Sequence, residues 1–127
     1  LTVPATSIIY IWACFTNQVQ NDMEANVKPT FQEIIQSEKP VLVDFYATWC
    51  GPCKAMNPVI KSIAADLRDR AKVIKVDVDQ NRALAEKYQI RGVPTFMVFK
   101  EGQIHYQKAG TASKGQLLDA VAAAEKA

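Results

Sequence analysis

Apolar and polar positions along this chain change period several times, and each change marks an element. Val41-Leu42-Val43-Asp44-Phe45-Tyr46 is a short β-branched and aromatic run broken by one carboxylate. It predicts a buried strand. Val73 to Val78 has the same character and predicts a second strand, parallel to the first through a helical crossover. Between them Met56, Val59, Ile60, Ile63 and Leu67 recur at helical spacing. A helix is therefore expected from about Cys50 to Arg68, bent at Pro58. Upstream, Thr30 with Glu33 three residues on is a capping-box start for a short helix burying Phe31, Ile34 and Ile35. Pro40 closes that connection. Asn81 to Tyr88 reads as another short helix. Thr95 to Phe99 and Ile104 to Gln107 read as a hairpin around Glu101-Gly102. Gly115 to Glu125 reads as a last helix with Leu117, Leu118 and Val121 inward. Strands and helices in this order give an α/β layer fold, a central mixed sheet with helices on both faces.

Leu1 to Asn21 fits none of these patterns. It carries no charge, and Ile8 to Phe15 is continuously apolar, far short of the roughly 20 residues a bilayer span needs. One reading is the tail of a signal peptide, with Ile11-Trp12-Ala13-Cys14 as a degenerate lipoprotein cleavage site. Bulky Trp12 and the lack of a basic stretch before the run weigh against it. The favoured reading is an extension that adds an edge strand or stays outside the fold. Gln18 to Lys28 is polar and linker-like, so residues 1–28 are expected to be an extension and residues 29–127 a single domain.

Composition adds little. The 127 residues are ordinary for a globular chain, and the net charge of +2 comes from basic residues that all lie at or after Lys28. They are scattered rather than massed, which argues against a nucleic-acid footprint. Three cysteines are too few for a disulfide-stapled scaffold. A zinc site built on Cys50 and Cys53 would need Cys14 and His105 as its remaining ligands, at spacings with no zinc-finger rhythm.

The chemistry is concentrated in Trp49-Cys50-Gly51-Pro52-Cys53-Lys54, at the strand-to-helix junction. Positions i and i+3 of a helix share a face, with Cβ atoms about 5–6 Å apart. From there two sulfurs can join and part without refolding. The positive end of the helix favours a thiolate on Cys50, which is expected to be the exposed attacking thiol. Cys53, one turn further in, is expected to be the shielded resolving thiol. Asp44 within an apolar strand is costly unless it has a partner or a task.

These residues resemble the thioredoxin family, whose hallmark is Trp-Cys-Gly-Pro-Cys after a buried strand containing an Asp. Further matching segments are Lys75 within Val73 to Asp79, then Arg91-Gly92-Val93-Pro94-Thr95, and Lys108-Ala109-Gly110 followed by Ser113-Lys114-Gly115-Gln116-Leu117. The resemblance runs from about Thr30 to the C-terminus and implies a thioredoxin-like fold. It also implies a protein-disulfide reductase acting through Cys50 and Cys53, with no cofactor or metal of its own; the alternative is a non-catalytic thioredoxin subunit of a complex. With Gly51-Pro52 and no His between the thiols, the dithiol is expected to reduce rather than oxidise; thioredoxin's potential is roughly −270 mV, against roughly −120 to −180 mV for oxidant-type relatives. By the same resemblance Asp44, aided by Lys75, accepts the Cys53 proton. Trp49, Gly51, Pro52, Gly92, Val93, Pro94, Thr95 and Gly110 line the substrate, with Val93-Pro94 cis. Gly92, Val93 and Thr95 would offer backbone for pairing with a substrate strand. The implied partners are disulfide-containing proteins and a thioredoxin reductase as electron donor, with no nucleic acid and no membrane for the folded domain, and the chain acts as a monomer. The implied compartment is the cytoplasm; a signal remnant would make it periplasmic or lipid-anchored. Tyr46 and Thr48 stand where many members have Trp and Glu, which bears on substrate preference.

Overall fold

A computed structural model describes residues 8–10 and 29–127 of the chain. The strands are β1 (Ile8–Tyr10), β2 (Val41–Tyr46), β3 (Lys72–Asp77), β4 (Thr95–Lys100) and β5 (Gln103–Ala109). The helices are α1 (Phe31–Ile35), α2 (Gly51–Leu67), α3 (Arg82–Lys87) and α4 (Lys114–Glu125), and a 3-10 turn at Arg68–Arg70 follows α2. They form one five-stranded sheet in the order β1-β3-β2-β4-β5. β2 and β3 are parallel, joined by α2, and every other pairing is antiparallel. This is the mixed sheet that the sequence pattern implies.

Two helices cover each face. α2 and α4 pack over Leu42, Val73, Phe96 and Val98. α1 and α3 pack over Val43, Phe45, Ile74, Met97 and Phe99 on the other side. Side chains alternate along a strand, so Asp44 and Lys75 point to the α2 side with Leu42 and Val73. On the opposite side Phe31 seals the sheet, its ring 5.7 Å from Phe99, 5.8 Å from Tyr88 and 6.3 Å from Phe45. Both faces of β2 are thus covered, which is why its sequence reads as an unbroken apolar run.

Local expectations hold with small shifts. Thr30 caps α1 by accepting from the Glu33 backbone N–H, but the Glu33 carboxylate accepts from the Thr30 hydroxyl and leaves the reciprocal half of a capping box unmade. The full box occurs at Ser113 and Gln116, where α4 begins. Pro58 lies inside α2 without ending it. The hairpin strands run longer than expected, and a register irregularity between Val98 and Phe99 leaves His105 without a counterpart on β4. β1 falls within the N-terminal extension and pairs through Ile8, Ile9 and Tyr10 with Val76, Lys75 and Ile74. The candidate cleavage site Ile11 to Cys14 lies outside the described residues.

The hairpin turn fixes the far end of the sheet. Glu101 and Gly102 both have positive φ, 52° and 79°, the conformation a two-residue hairpin loop requires. Their amides donate to the carbonyls of Ser37 and Ile35, tying the turn to the end of α1. A Cβ at Gly102 would sit 2.6 Å from the Gln36 amide nitrogen. Gly102→Ala is therefore expected to destabilise the protein by about 1 kcal/mol or more, measurable as a lower denaturant midpoint at unchanged slope.

Candidate active site

The site lies where β2 ends and α2 begins. Cys50 is the N-cap of α2, its backbone extended at φ −84° and ψ 111°, and its Sγ accepts the Cys53 backbone N–H at 3.1 Å. A sulfur in that position sits on the unpaired amides and positive end of a 17-residue helix, which stabilises negative charge on it. Pro52 falls in the first turn, where its missing N–H costs nothing. Cys50 and Cys53 are joined in a disulfide with their Cα atoms 5.3 Å apart. The expected exposure of Cys50 is not seen in this disulfide form: both cysteines are 3% exposed. Cys50 Sγ lies 3.7 Å from the Val93 carbonyl oxygen.

The surrounding rim combines two loops. Trp49 is 70% exposed, yet its indole N–H donates to Asp79 at 2.8 Å, so the ring is tethered. Asp79 was not picked out from the sequence; its only signal is its place just after β3. Gly51 and Gly92 are exposed and Val93 is half-buried. The Val93-Pro94 bond is cis, as the resemblance implied. Gly110 has φ +91° and donates to the Pro94 carbonyl at 2.8 Å, closing the end of β5 onto this loop. Thr95 sits at the start of β4, next to the cis bond. It is 2% exposed, pairs with Phe45 on one side and Ala109 on the other, and its hydroxyl donates to the Gly92 carbonyl at 2.6 Å. Through that hydroxyl Thr95 braces the loop that carries Gly92 and Val93.

Asp44 lies beneath the helix that carries the dithiol. It is fully buried, and neither carboxylate oxygen has a hydrogen-bond partner among the described residues. Burial pushes its pKa from 3.8 up to about 7, against the opposing pull of the Lys75 ammonium. Asp44 and Lys75 are direct neighbours in the parallel β2–β3 register, but they form no ion pair. Lys75 instead donates to Asn57 Oδ1 at 2.7 Å and stands 4.4 Å from the centre of the Tyr46 ring. Asn57 was missed from the sequence, although it lies one helical turn beyond Cys53. Tyr46, which stands where many family members have Trp, forms a wall for Lys75. Burial, then Asp77 and Asp44, hold the Tyr46 phenol in its neutral form to higher pH than usual. Tyr46, Ala47, Thr48, Cys53, Lys54, Asn57 and Lys75 line a pocket of about 270 Å³. Cys53, unlike Cys50, borders this pocket. No group of three or more His, Cys, Asp or Glu among the described residues could hold a metal ion.

Comparison with known proteins agrees with this geometry. The Thioredoxin family model matches residues 22–123. The chain is 44% identical over 86 residues to a thioredoxin of Pseudomonas aeruginosa, covering 68% of this chain and 80% of the relative. It is 42% identical over 99 residues to a thioredoxin of Rickettsia conorii, covering 78% and 91%. Among solved structures, a mutant thioredoxin of Halobacterium salinarum superposes with a TM-score of 0.68 at 37% identity, covering 74% of this chain and 81% of that one. Oxidised mitochondrial thioredoxin 3 of Saccharomyces cerevisiae gives 0.66 at 31% identity, covering 73% and 86%. A helix-capping sulfur joined in a disulfide to a second cysteine one turn further along is the pair that dithiol–disulfide exchange requires. The chain belongs to the thioredoxin family, and its Cys50–Cys53 pair makes it a thiol–disulfide oxidoreductase that reduces protein disulfides.

Proposed function

We propose that the two thiols divide the reaction, with Cys50 attacking and Cys53 resolving. The observation that carries this reading is the Cys50 sulfur at the α2 N-cap, accepting a backbone N–H where negative charge is stabilised. The Cys50 thiolate attacks one sulfur of a substrate disulfide, forms a mixed disulfide and expels the first substrate thiolate. Cys53 gives its proton to Asp44, attacks the Cys50 sulfur and expels the second. Two electrons leave the dithiol, which becomes the Cys50–Cys53 disulfide. With a pKa of about 7, Asp44 is ionised often enough near neutrality to take the proton, and protonated often enough to hand it on. Lys75 lends that carboxylate its field without bonding to it.

Substrate chains dock on Trp49, Gly51, Pro52, Gly92, Val93, Pro94 and Gly110, with Val93 supplying backbone beside the sulfur. A thioredoxin reductase restores the dithiol, and the compartment is the cytoplasm. No helix among the described residues is long and apolar enough to cross a membrane. Insulin reduction by the purified protein, with and without a thioredoxin reductase and NADPH, tests the activity and the donor together. Intact mass of the protein from its native host tests the compartment, because an added lipid or a chain cut at Cys14 would place it outside the cytoplasm.

Residues 29–127 are the catalytic domain, and residues 1–28 are an appendage that contributes β1. Cys14 belongs to that appendage by its place in the sequence. A chain starting at Met23 is therefore expected to keep its disulfide-reducing rate while melting at lower denaturant concentration, because the pairing of β1 with β3 is lost. A folded truncated protein with most of its activity gone would place part of the site in the appendage.

A further inference from the structure

Lys75 is placed to neutralise Asp44 and does not. The two residues are paired across adjacent strands and face the same helix, a separation that cross-strand side chains bridge readily. Both Asp44 carboxylate oxygens lack hydrogen-bond partners among the described residues, so a buried ion pair would satisfy them. The ammonium lies instead against Asn57 Oδ1, with the Tyr46 ring as its other wall. We propose that Asn57 is a positioning residue, whose side-chain carbonyl draws the Lys75 ammonium into the pocket beside Cys53 and so prevents it from closing an ion pair with Asp44.

The other groups around Asp44 leave this role to Asn57. From α2 come Cys53, held in the disulfide, and Lys54 at the pocket lining. On β3, Asp77 accepts from the amides of Asp79 and Gln80. Tyr46 follows on β2 itself. On β4 the neighbour across from Asp44 is Phe96, which bears no charge, and beyond it on β5 Lys108 donates to the Thr111 carbonyl. Lys75 is the cation whose pull acts on Asp44, and Asn57 is the acceptor that decides where that cation rests. The consequence for turnover is chemical. A carboxylate locked in an ion pair stays ionised but is a weaker base, so it takes the Cys53 proton less readily. That consequence rests on the proposed role of Asp44, whereas the placement of Lys75 does not.

The test is read in the oxidised full-length protein, where neither cysteine titrates. The carboxyl carbon of Asp44 is followed by 13C NMR against pH in the unaltered protein, in Asn57→Ala, in Lys75→Met and in the double variant. Asn57→Ala is expected to lower the Asp44 midpoint by about one pH unit or more, as a close opposite charge does. Lys75→Met is expected to raise it, and the double variant to match Lys75→Met alone. An unmoved or raised midpoint in Asn57→Ala would overturn the proposal. So would an equal fall when Lys75 is already absent, since Asn57 would then act without it. Failure of the Asp44 role itself is seen separately, as unchanged insulin reduction by Asp44→Asn.

Discussion

Cys50→Ser is expected to bring disulfide reduction down to the uncatalysed background, whereas Cys53→Ser still attacks and then stalls. The argument is geometric. Cys50 Sγ caps α2 and receives the Cys53 amide hydrogen, so the developing thiolate is stabilised where the attack begins. Serine at that position keeps the cap but offers an alcohol that stays protonated at neutral pH. In Cys53→Ser the nucleophile survives and the mixed disulfide finds no second thiol to release it. Mass spectrometry after incubation with a disulfide substrate should then show a covalent adduct on Cys53→Ser and none on Cys50→Ser. Capture by the Cys50 variant alone would reverse the roles of the two thiols.

Asp44→Asn should stabilise the oxidised protein strongly at neutral pH and hardly at all in acid. The folded-state pKa of about 7 lies above the unfolded value near 3.8. Below the lower value both states hold the proton, and Asp44 carries no ionisation penalty. Between the two values the unfolded chain ionises while the folded protein stays protonated, so stability falls by about 1.4 kcal/mol per pH unit. Above the folded value the loss is constant, and across the whole window it reaches about 4 kcal/mol. Asn keeps the size of a protonated Asp and removes the ionisation. Denaturant melts at pH 8 and pH 3 measure the difference. The same variant should release mixed disulfides slowly, because Cys53 loses its proton acceptor. A variant less stable at pH 8 would mean that the ionised carboxylate is compensated in the fold, with Lys75 as the first residue to examine. Greater stability of Asp44→Asn at pH 8 would show that the protein gives up stability at the residue proposed to move its proton.

Much of this was legible from residues close together in the chain. The apolar run from Val41 to Tyr46, the helical spacing from Met56 to Leu67 and the cap at Thr30 are local signals, and the elements formed within a few residues of where these signals lie. The dithiol was equally legible, since Cys50, Pro52 and Cys53 act through one helix terminus. Packing decided what depends on partners far along the chain. That Trp49 is tethered by Asp79, that the Thr95 hydroxyl holds the Gly92 carbonyl and that Cys50 lies buried under the Val93 carbonyl follow from β3, β4 and the loop before β4 converging on one end of the sheet. Asn57 carried no signal, because an Asn on a half-exposed helix position is ordinary until the register of β2 with β3 sets a lysine opposite it. Asp44 combines both. Its place in an apolar strand marked it from the sequence, because burying a charge is costly wherever it happens. The lack of a hydrogen-bond partner for its carboxylate among the described residues, and a lysine turned away from it, are properties of three elements packed together. Local composition specifies what each segment becomes, whereas the ionisation of a buried group depends on everything within a few ångströms, which only the assembled fold determines.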